Sequence, residues 1–430
     1  MIFNEGNIVS IKVKYFKNKR VFTIKNINKK NVKIINKNNN IIISKKNIEK
    51  IECSICLEFI NELDNCIQLY CCHIFHKSCI RQCINLISCP LCKSLLSKNN
   101  ILNIADYDNN FIIELNLSRS NIENIYDLSK YKFLKKLNLN NNKITTIGEN
   151  VFNGLVNLEI LNLGYNEIKK IDSYSFQNLN NLKELNLFHN RITNIEEYTF
   201  LGLSNLHKLY LHYNNIESLT KNVFYSLCNL QELYTNNNNI KFIDTNMFVE
   251  LKRLKKLYLQ YNNITKINFS KLDTDIEIEN LYLQYNNIED IDENTFNGLP
   301  NLVSLYLQNN KINLINTYAF NGLCNLVDLY LQNNNISVFN EDGFYGLSNL
   351  VNLFLENNNI RNINENTFNG LPNLVSLYLQ NNNIKIIDLR FFNKLYNLKN
   401  IIIYNNYINY NNKNVNNIIY QLKQYYNVYI

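Results

Sequence analysis

Nine of the chain's eleven cysteines and two of its five histidines fall within residues 53–92, CSICLEFINELDNCIQLYCCHIFHKSCIRQCINLISCPLC. Thiolate and imidazole are the ligands that tetrahedral zinc takes, so this crowding points to a metal. The spacing Cys53-x2-Cys56-x14-Cys71-x-His73-x2-His76-x2-Cys79-x9-Cys89-x2-Cys92 sets out eight ligands in four pairs, enough for two closed sites. Each C-x2-C pair, on a short turn, presents two thiolates to one ion at roughly 2.3 Å. Four protein ligands per ion leave no place for a reactive water, so the metal is expected to be structural. Spacing alone does not decide whether the pairs interleave or form two sequential sites. Cys66 and Cys72 read as loop bystanders, since the single residue between Cys71 and His73 favours Cys71 as the ligand.

The rest of the composition sets the compartment. The opening MIFNEGNIVS lacks the charged-then-apolar order of a secretory signal, and no apolar run approaches the eighteen or so residues that span a bilayer. A soluble, cytoplasmic protein with no membrane partner is expected, and a secreted receptor is disfavoured. Thiols stay reduced in that setting, which favours a metal over disulfides, and the odd cysteine total agrees. The net charge of +8 is unevenly spread: residues 1–50 carry thirteen Lys/Arg against two Glu, residues 51–100 balance, and the remainder is slightly acidic. Abundant Asn, Ile, Lys and Tyr with no Trp is the coding bias of an AT-rich genome, and with this architecture it suggests a large DNA virus or intracellular parasite acting on host proteins in the host cytoplasm.

The ligand order, closed by CPLC, resembles a RING finger of the type with two central histidines, over residues 53–92. RING fingers interleave their pairs. The resemblance therefore implies two structural zinc ions, one on Cys53, Cys56, His76 and Cys79, the other on Cys71, His73, Cys89 and Cys92. It also implies a ubiquitin ligase, a transferase that holds a ubiquitin-loaded conjugating enzyme and orients its thioester toward a substrate lysine. No catalytic residue of its own is then needed, because the work is proximity and restriction of the bound thioester. Carried over position by position, the recruiting surface is Ile55, inside the first pair, with Pro90 and Leu91 of the final one. Two places depart from the family, which often has Trp and Arg where this chain has Cys83 and Lys93. A thiol offers less contact area than an indole, and an ammonium lacks the two-pronged hydrogen bonding of a guanidinium, which argues for weaker or more selective activity.

The elements around this segment differ sharply. Residues 1–50 alternate apolar and polar in IVSIKVKYF, RVFTIKNI and NVKII, a period of two that predicts three or four short strands. Their aromatic content, Tyr15, Phe16 and Phe22, is thin for single-stranded nucleic acid, so a solvated Lys-rich face is expected there. From residue 112 the chain repeats. Leu or Ile opens a unit at 112, 134, 158, 182, 206, 230, 254, 278, 302, 326, 350, 374 and 398, and every step after the first is 24 residues. LVSLYLQNNKINLINTYAFNGLCN, residues 302–325, shows the signature of leucine-rich repeats. No such unit can close its own core, so stacking is obligatory. The ninth position is Asn in twelve units, Asn142 to Asn406, and Ser120 in the first, which predicts a buried hydrogen-bonded ladder. Ten units place Phe at the nineteenth position, whereas the unit after Ile264 has Leu272 there. Cys228 and Cys324, each in LCNL, are expected to fill small apolar sites. Residues 415–430, with apolar residues at helical spacing, are expected to cap the last repeat.

The repeats also predict a binding face. The fifth position reads Tyr210, Tyr234, Tyr258, Tyr282, Tyr306, Tyr330, Phe354 and Tyr378, and strands about 4.8 Å apart would turn these into one aromatic stripe. Beside it runs Gln260, Gln284, Gln308, Gln332 and Gln380, interrupted by Glu356. Amphipathic rings flanked by amides suit protein recognition. Duplication alone also produces such rows, and ENTFNGLPNLVSLYLQNN occurs at both 293–310 and 365–382.

The expectation is a multidomain protein: a basic β-rich module (1–50), a cross-brace RING (51–98), a linker or cap (99–111), a leucine-rich repeat solenoid with a parallel concave sheet (112–413) and a C-terminal cap (414–430). The function expected is a ubiquitin ligase whose RING recruits the conjugating enzyme and whose repeats bind the protein substrate. The alternative is a non-enzymatic scaffold with a structural zinc module. The sequence leaves the oligomeric state open.

Overall fold

The computed structural model describes residues 113–408, except 126, 127, 130, 244, 271, 273–275, 388 and the side chains of 386, 387, 389 and 393. Outside that range it describes the backbone of the strands named below. The chain divides into two compact units, residues 1–144 with 151–163, and residues 145–150 with 164–430.

In the first unit the basic segment forms four strands, Ser10–Tyr15, Arg20–Asn28, Asn31–Asn36 and Asn39–Ser44, paired antiparallel in sequence order. The period-two reading therefore holds. Ser10–Tyr15 also pairs antiparallel with Ile112–Asn116, the first repeat strand, placing Ser10 opposite Asn116. On its other side Ile112–Asn116 pairs parallel with Lys136–Asn138, which pairs with Ile160–Asn162. The meander thus covers what would otherwise be the open edge of the repeat sheet, where unpaired N–H and C=O groups invite association. A separate antiparallel sheet has Cys66–Leu69 between Ile74–His76 and Ile101–Asn103. Cys66 opens a strand there, so it is not the loop residue its sequence context suggested.

In the second unit, strands Glu184–Asn186, Lys208–Tyr210, Glu232–Tyr234, Lys256–Tyr258, Asn280–Tyr282, Ser304–Tyr306, Asp328–Tyr330, Asn352–Phe354, Ser376–Tyr378 and Asn400–Ile402 pair in parallel, each in register with the next. The middle residue of each strand points inward and is buried: Leu209, Leu233, Leu257, Leu281, Leu305, Leu329, Leu353 and Leu377 are all fully enclosed. The residues on either side of it face the other way, which displays the third and fifth positions of the repeat. Asn427–Tyr429 adds a last parallel strand against Asn400–Ile402. The end of the segment expected to cap the array thus joins it as a strand, and residues 415–426, read as helical in spacing, lie outside the described residues.

The asparagine ladder is present. Asn262 shows the pattern: its Oδ1 accepts the Ile240 N–H at 3.0 Å, and its amide donates to the carbonyls of Thr235 and Leu259, both at 3.0 Å. Asn214, Asn286, Asn310, Asn334, Asn358 and Asn382 repeat it. Each amide ties two repeats together through backbone groups that no strand partner reaches. One feature went unforeseen: the eighth residue, immediately before the ladder, has positive φ in all thirteen repeats, from Arg119 (54°) to Asn405 (53°). That turn lets its N–H meet the next repeat, as when Tyr261 donates to the Gln284 carbonyl and Asn309 to that of Gln332.

Opposite the sheet, buried phenylalanines stack through successive repeats at 5.9–6.4 Å between Phe176 and Phe248 and between Phe296 and Phe344. In the irregular unit Phe269 takes the vacant place, 6.5 Å from Phe248 and 6.2 Å from Phe296. Leu272, which the template had put there, is buried beside it. At the far end Phe391 rather than Phe392 meets Phe368, with ring centroids 5.4 Å apart. Cys228 and Cys324 are exposed, contrary to the packing role expected of them, because their repeat position lies on the outer turn.

Candidate protein-binding face and metal centre

The fifth-position rings form the stripe that the repeat spacing required. Centroids are 4.7 Å apart for Tyr210–Tyr234, then 4.3, 4.4, 4.6, 4.5, 4.6 and 4.5 Å through Tyr258, Tyr282, Tyr306, Tyr330 and Phe354 to Tyr378, with interplanar angles of 18° or less. All eight rings are half-buried. Because each face is covered by the next ring, the stripe shows its surroundings ring edges and hydroxyls, and ring faces are open only at its ends. Burial raises the Tyr210, Tyr234 and Tyr282 phenols above their ordinary value and pushes Tyr330 up to about 12, so these hydroxyls stay protonated. The Tyr234 hydroxyl donates to Glu232 at 2.5 Å, and Glu232 also faces Lys208 at 3.5 Å.

The amide row lies where it was expected. Gln260, Gln284, Gln308, Gln332 and Gln380 each turn Oε1 inward without a hydrogen-bond partner, and Glu356 does the same with Oε2. Burial raises the Glu356 carboxyl above the usual carboxylate range. Earlier in the row stand Phe188 and His212, stacked at 5.0 Å. His212 has an unpartnered buried Nδ1, and burial, followed by the neighbouring His189, lowers its pKa to about 4.

A third row was missed from the sequence although its period was in plain view. At the eighth position Tyr165, His189 and Tyr213 stack at 4.5 and 4.4 Å, and Tyr261 stacks on Tyr285 at 4.4 Å. Farther along, Asn357, Asn381 and Asn405 each donate an amide hydrogen to the preceding repeat's asparagine at 2.8 Å. The face is therefore four positions wide and polar, and from Ser304 to Asn381 its third, fifth, seventh and eighth positions hold two carboxylates, Asp328 and Glu356, and no cation.

Of the metal ligands, His76 ends the strand Ile74–His76 and its backbone pairs with Cys66. Cys53, Cys56, Cys71, His73, Cys79, Cys89 and Cys92 lie outside the described residues, as do Ile55, Cys83, Pro90, Leu91 and Lys93. The donor set itself, six cysteines and two histidines without a carboxylate, suits zinc in closed structural sites.

Comparison with known proteins agrees with both halves. The leucine rich repeat family matches residues 132–192, 180–235, 228–273, 276–336 and 324–384, more than half the chain, and the ring finger domain family matches residues 51–93. No curated protein matches. Among solved structures the chain is similar to an internalin of Listeria monocytogenes, 27% identical with a TM-score of 0.52, over 69% of this chain and 82% of that one. It is similar in fold to a leucine-rich repeat protein of Leptospira interrogans, 23% identical with a TM-score of 0.56, over 73% and 83%. A chain of the Toll–Spatzle complex of Drosophila is 18% identical with a TM-score of 0.65, over 96% of this chain and 56% of its own.

Proposed function

From a chain that belongs to the leucine-rich repeat family and carries a RING-type zinc finger at residues 51–93, we propose a ubiquitin ligase. In this reading the finger holds a ubiquitin-loaded conjugating enzyme through Ile55, Pro90 and Leu91, and the repeat face binds the protein to be modified. The observation that carries it is the pairing, in one chain, of eight zinc ligands in RING order with an unbroken stack of eight aromatic rings.

Zinc would be held as two ions, on Cys53, Cys56, His76 and Cys79 and on Cys71, His73, Cys89 and Cys92. Bound there, it supplies shape, since in small zinc modules its binding free energy, on the order of 10–16 kcal/mol, is in effect folding free energy. The chain's own contribution is to hold two proteins close, converting an encounter between thioester and lysine into a local event. Reduced thiols suit cytoplasmic residence, in a host cell if the chain comes from a virus or parasite.

The test is autoubiquitination by purified protein with a panel of conjugating enzymes, repeated with Ile55→Ala. Chains that form with the wild type and vanish in the variant support the reading. Silence across the panel overturns it and leaves a zinc-stabilised binding scaffold, the outcome that Cys83 and Lys93 would then account for.

A further inference from the structure

We propose that Glu356, with the hydroxyl gap at Phe354, anchors a lysine or arginine side chain of an extended segment of the substrate protein. This rests on the reading of the repeat face as a substrate-binding surface and names what that surface selects.

The unit that opens at Leu350 breaks both rows at once. It alone among the units from 206 to 374 has Phe in place of Tyr in the stripe, and it alone interrupts the glutamines after Gln260 with a carboxylate. Phe354 stacks normally, 4.6 Å from Tyr330 and 4.5 Å from Tyr378. The ring packing is thus unaltered and the difference is one missing hydroxyl. The rings of Tyr330 and Tyr378 flank Phe354, and Glu356 stands two residues further along the chain in the neighbouring row of the face.

A backbone hydrogen bond from its own residue only partly offsets the burial of the Glu356 carboxylate. Other acids of the face are answered: Glu232 by Tyr234 and Lys208, and Asp328 by the Asn352 amide at 2.7 Å. Glu356 Oε2 is buried without a partner. A half-buried charge without an ionic partner is costly, and the neutral isostere that fits here is the one its own sibling repeats carry. Asp328, in the preceding repeat, adds a second negative charge, and no Lys or Arg stands at the face positions between Ser304 and Asn381. The complement to this patch is a cation whose slim aliphatic stem can lie along ring edges and whose head reaches the gap. Lysine and arginine have that form.

Full-length protein is panned against short randomised peptides displayed on phage, alongside Glu356→Gln and Phe354→Tyr. The wild type should enrich peptides with Lys or Arg at one fixed register. Glu356→Gln should lose that enrichment and bind the selected peptides about tenfold or more weakly, the scale of a charge-assisted hydrogen bond, and Phe354→Tyr should weaken them too. Enrichment of peptides without a fixed basic residue, no enrichment, or identical selection by Glu356→Gln would overturn the proposal. An unfolding midpoint of Glu356→Gln at or above that of the wild type shows that lost binding is not lost structure. Autoubiquitination is measured in parallel: active ligase with failed selection sinks this inference alone, and silent ligase with intact selection sinks the ligase reading alone.

Discussion

At the scale of single residues the protein carries two ionisable groups whose burial opposes their charge, and they push in opposite directions with pH. His212 has its pKa lowered from 6.5 to about 4, so between those values the unfolded chain takes up a proton that the folded one refuses. Its contribution is present above pH 6.5 and is lost as pH falls toward 4, by roughly 1–2 kcal/mol once solvent access to the ring is allowed for. Glu356 is raised above 4.5, so here the folded state binds the proton more tightly and stability falls as pH rises through that shifted range. Urea unfolding from acid to neutral pH should show Glu356→Gln gaining on the wild type as pH rises; a gap that closes instead would exclude a destabilising carboxylate. The asparagine ladder is the larger residue-scale term. Asn262→Ala removes one acceptor and two donated bonds in a buried setting, and should cost about 2–4 kcal/mol in local repeat stability. Hydrogen exchange at the Ile240 amide reads this directly, and unchanged protection would argue against the ladder's role.

At the scale of elements, the irregular unit is the instructive one. Its template phenylalanine is missing, yet Phe269 fills the spine from a place three residues earlier than Leu272. Phe269→Ala should therefore cost as much as loss of a regular spine residue, about 3–5 kcal/mol, measured by the shift in urea midpoint. The same detour leaves little room at Gly298, where a Cβ would lie 2.2 Å from the Phe269 carbonyl oxygen and 2.8 Å from Leu272 Cβ. Gly298→Ala is expected to destabilise by displacing backbone, and a neutral result would mean that this turn relaxes freely. The strand caps belong to this scale too. Removing Ser10–Tyr15 uncovers Ile112–Asn116, and the truncated protein should self-associate through that edge.

At the scale of the whole molecule, the finger and the repeats are expected to draw stability from different sources. If the finger holds two zinc ions and acts as the proposed ligase, a strong chelator should release about two ions per chain and abolish ubiquitin transfer, while the circular dichroism of the repeats persists, because their core is a stack of neighbour interfaces. Loss of both signals together would mean that the finger's folding is coupled to the array. The proposed binding function, by contrast, would be a property of many repeats at once. In the proposed reading a stack of eight rings would spread recognition along the face, with specificity at its departures from uniformity, His212 near one end and Glu356 near the other.

The ring finger over residues 51–93, the 24-residue period, the inward leucines, the ladder and the two rows of the face were all legible in the sequence, because each follows from a ligand spacing or from a repeat that fixes which residues become neighbours. A periodic chain converts sequence spacing into spatial adjacency with almost no freedom. What the period did not carry had to come from the folded chain: the left-handed eighth residue, the rescue of the spine by Phe269, the exposure of Cys228 and Cys324, the strand at Asn427–Tyr429, and the pairing of Ser10–Tyr15 with the first repeat. These depend on which backbone groups and volumes remain unfilled once the regular part has packed, and that is settled only in three dimensions.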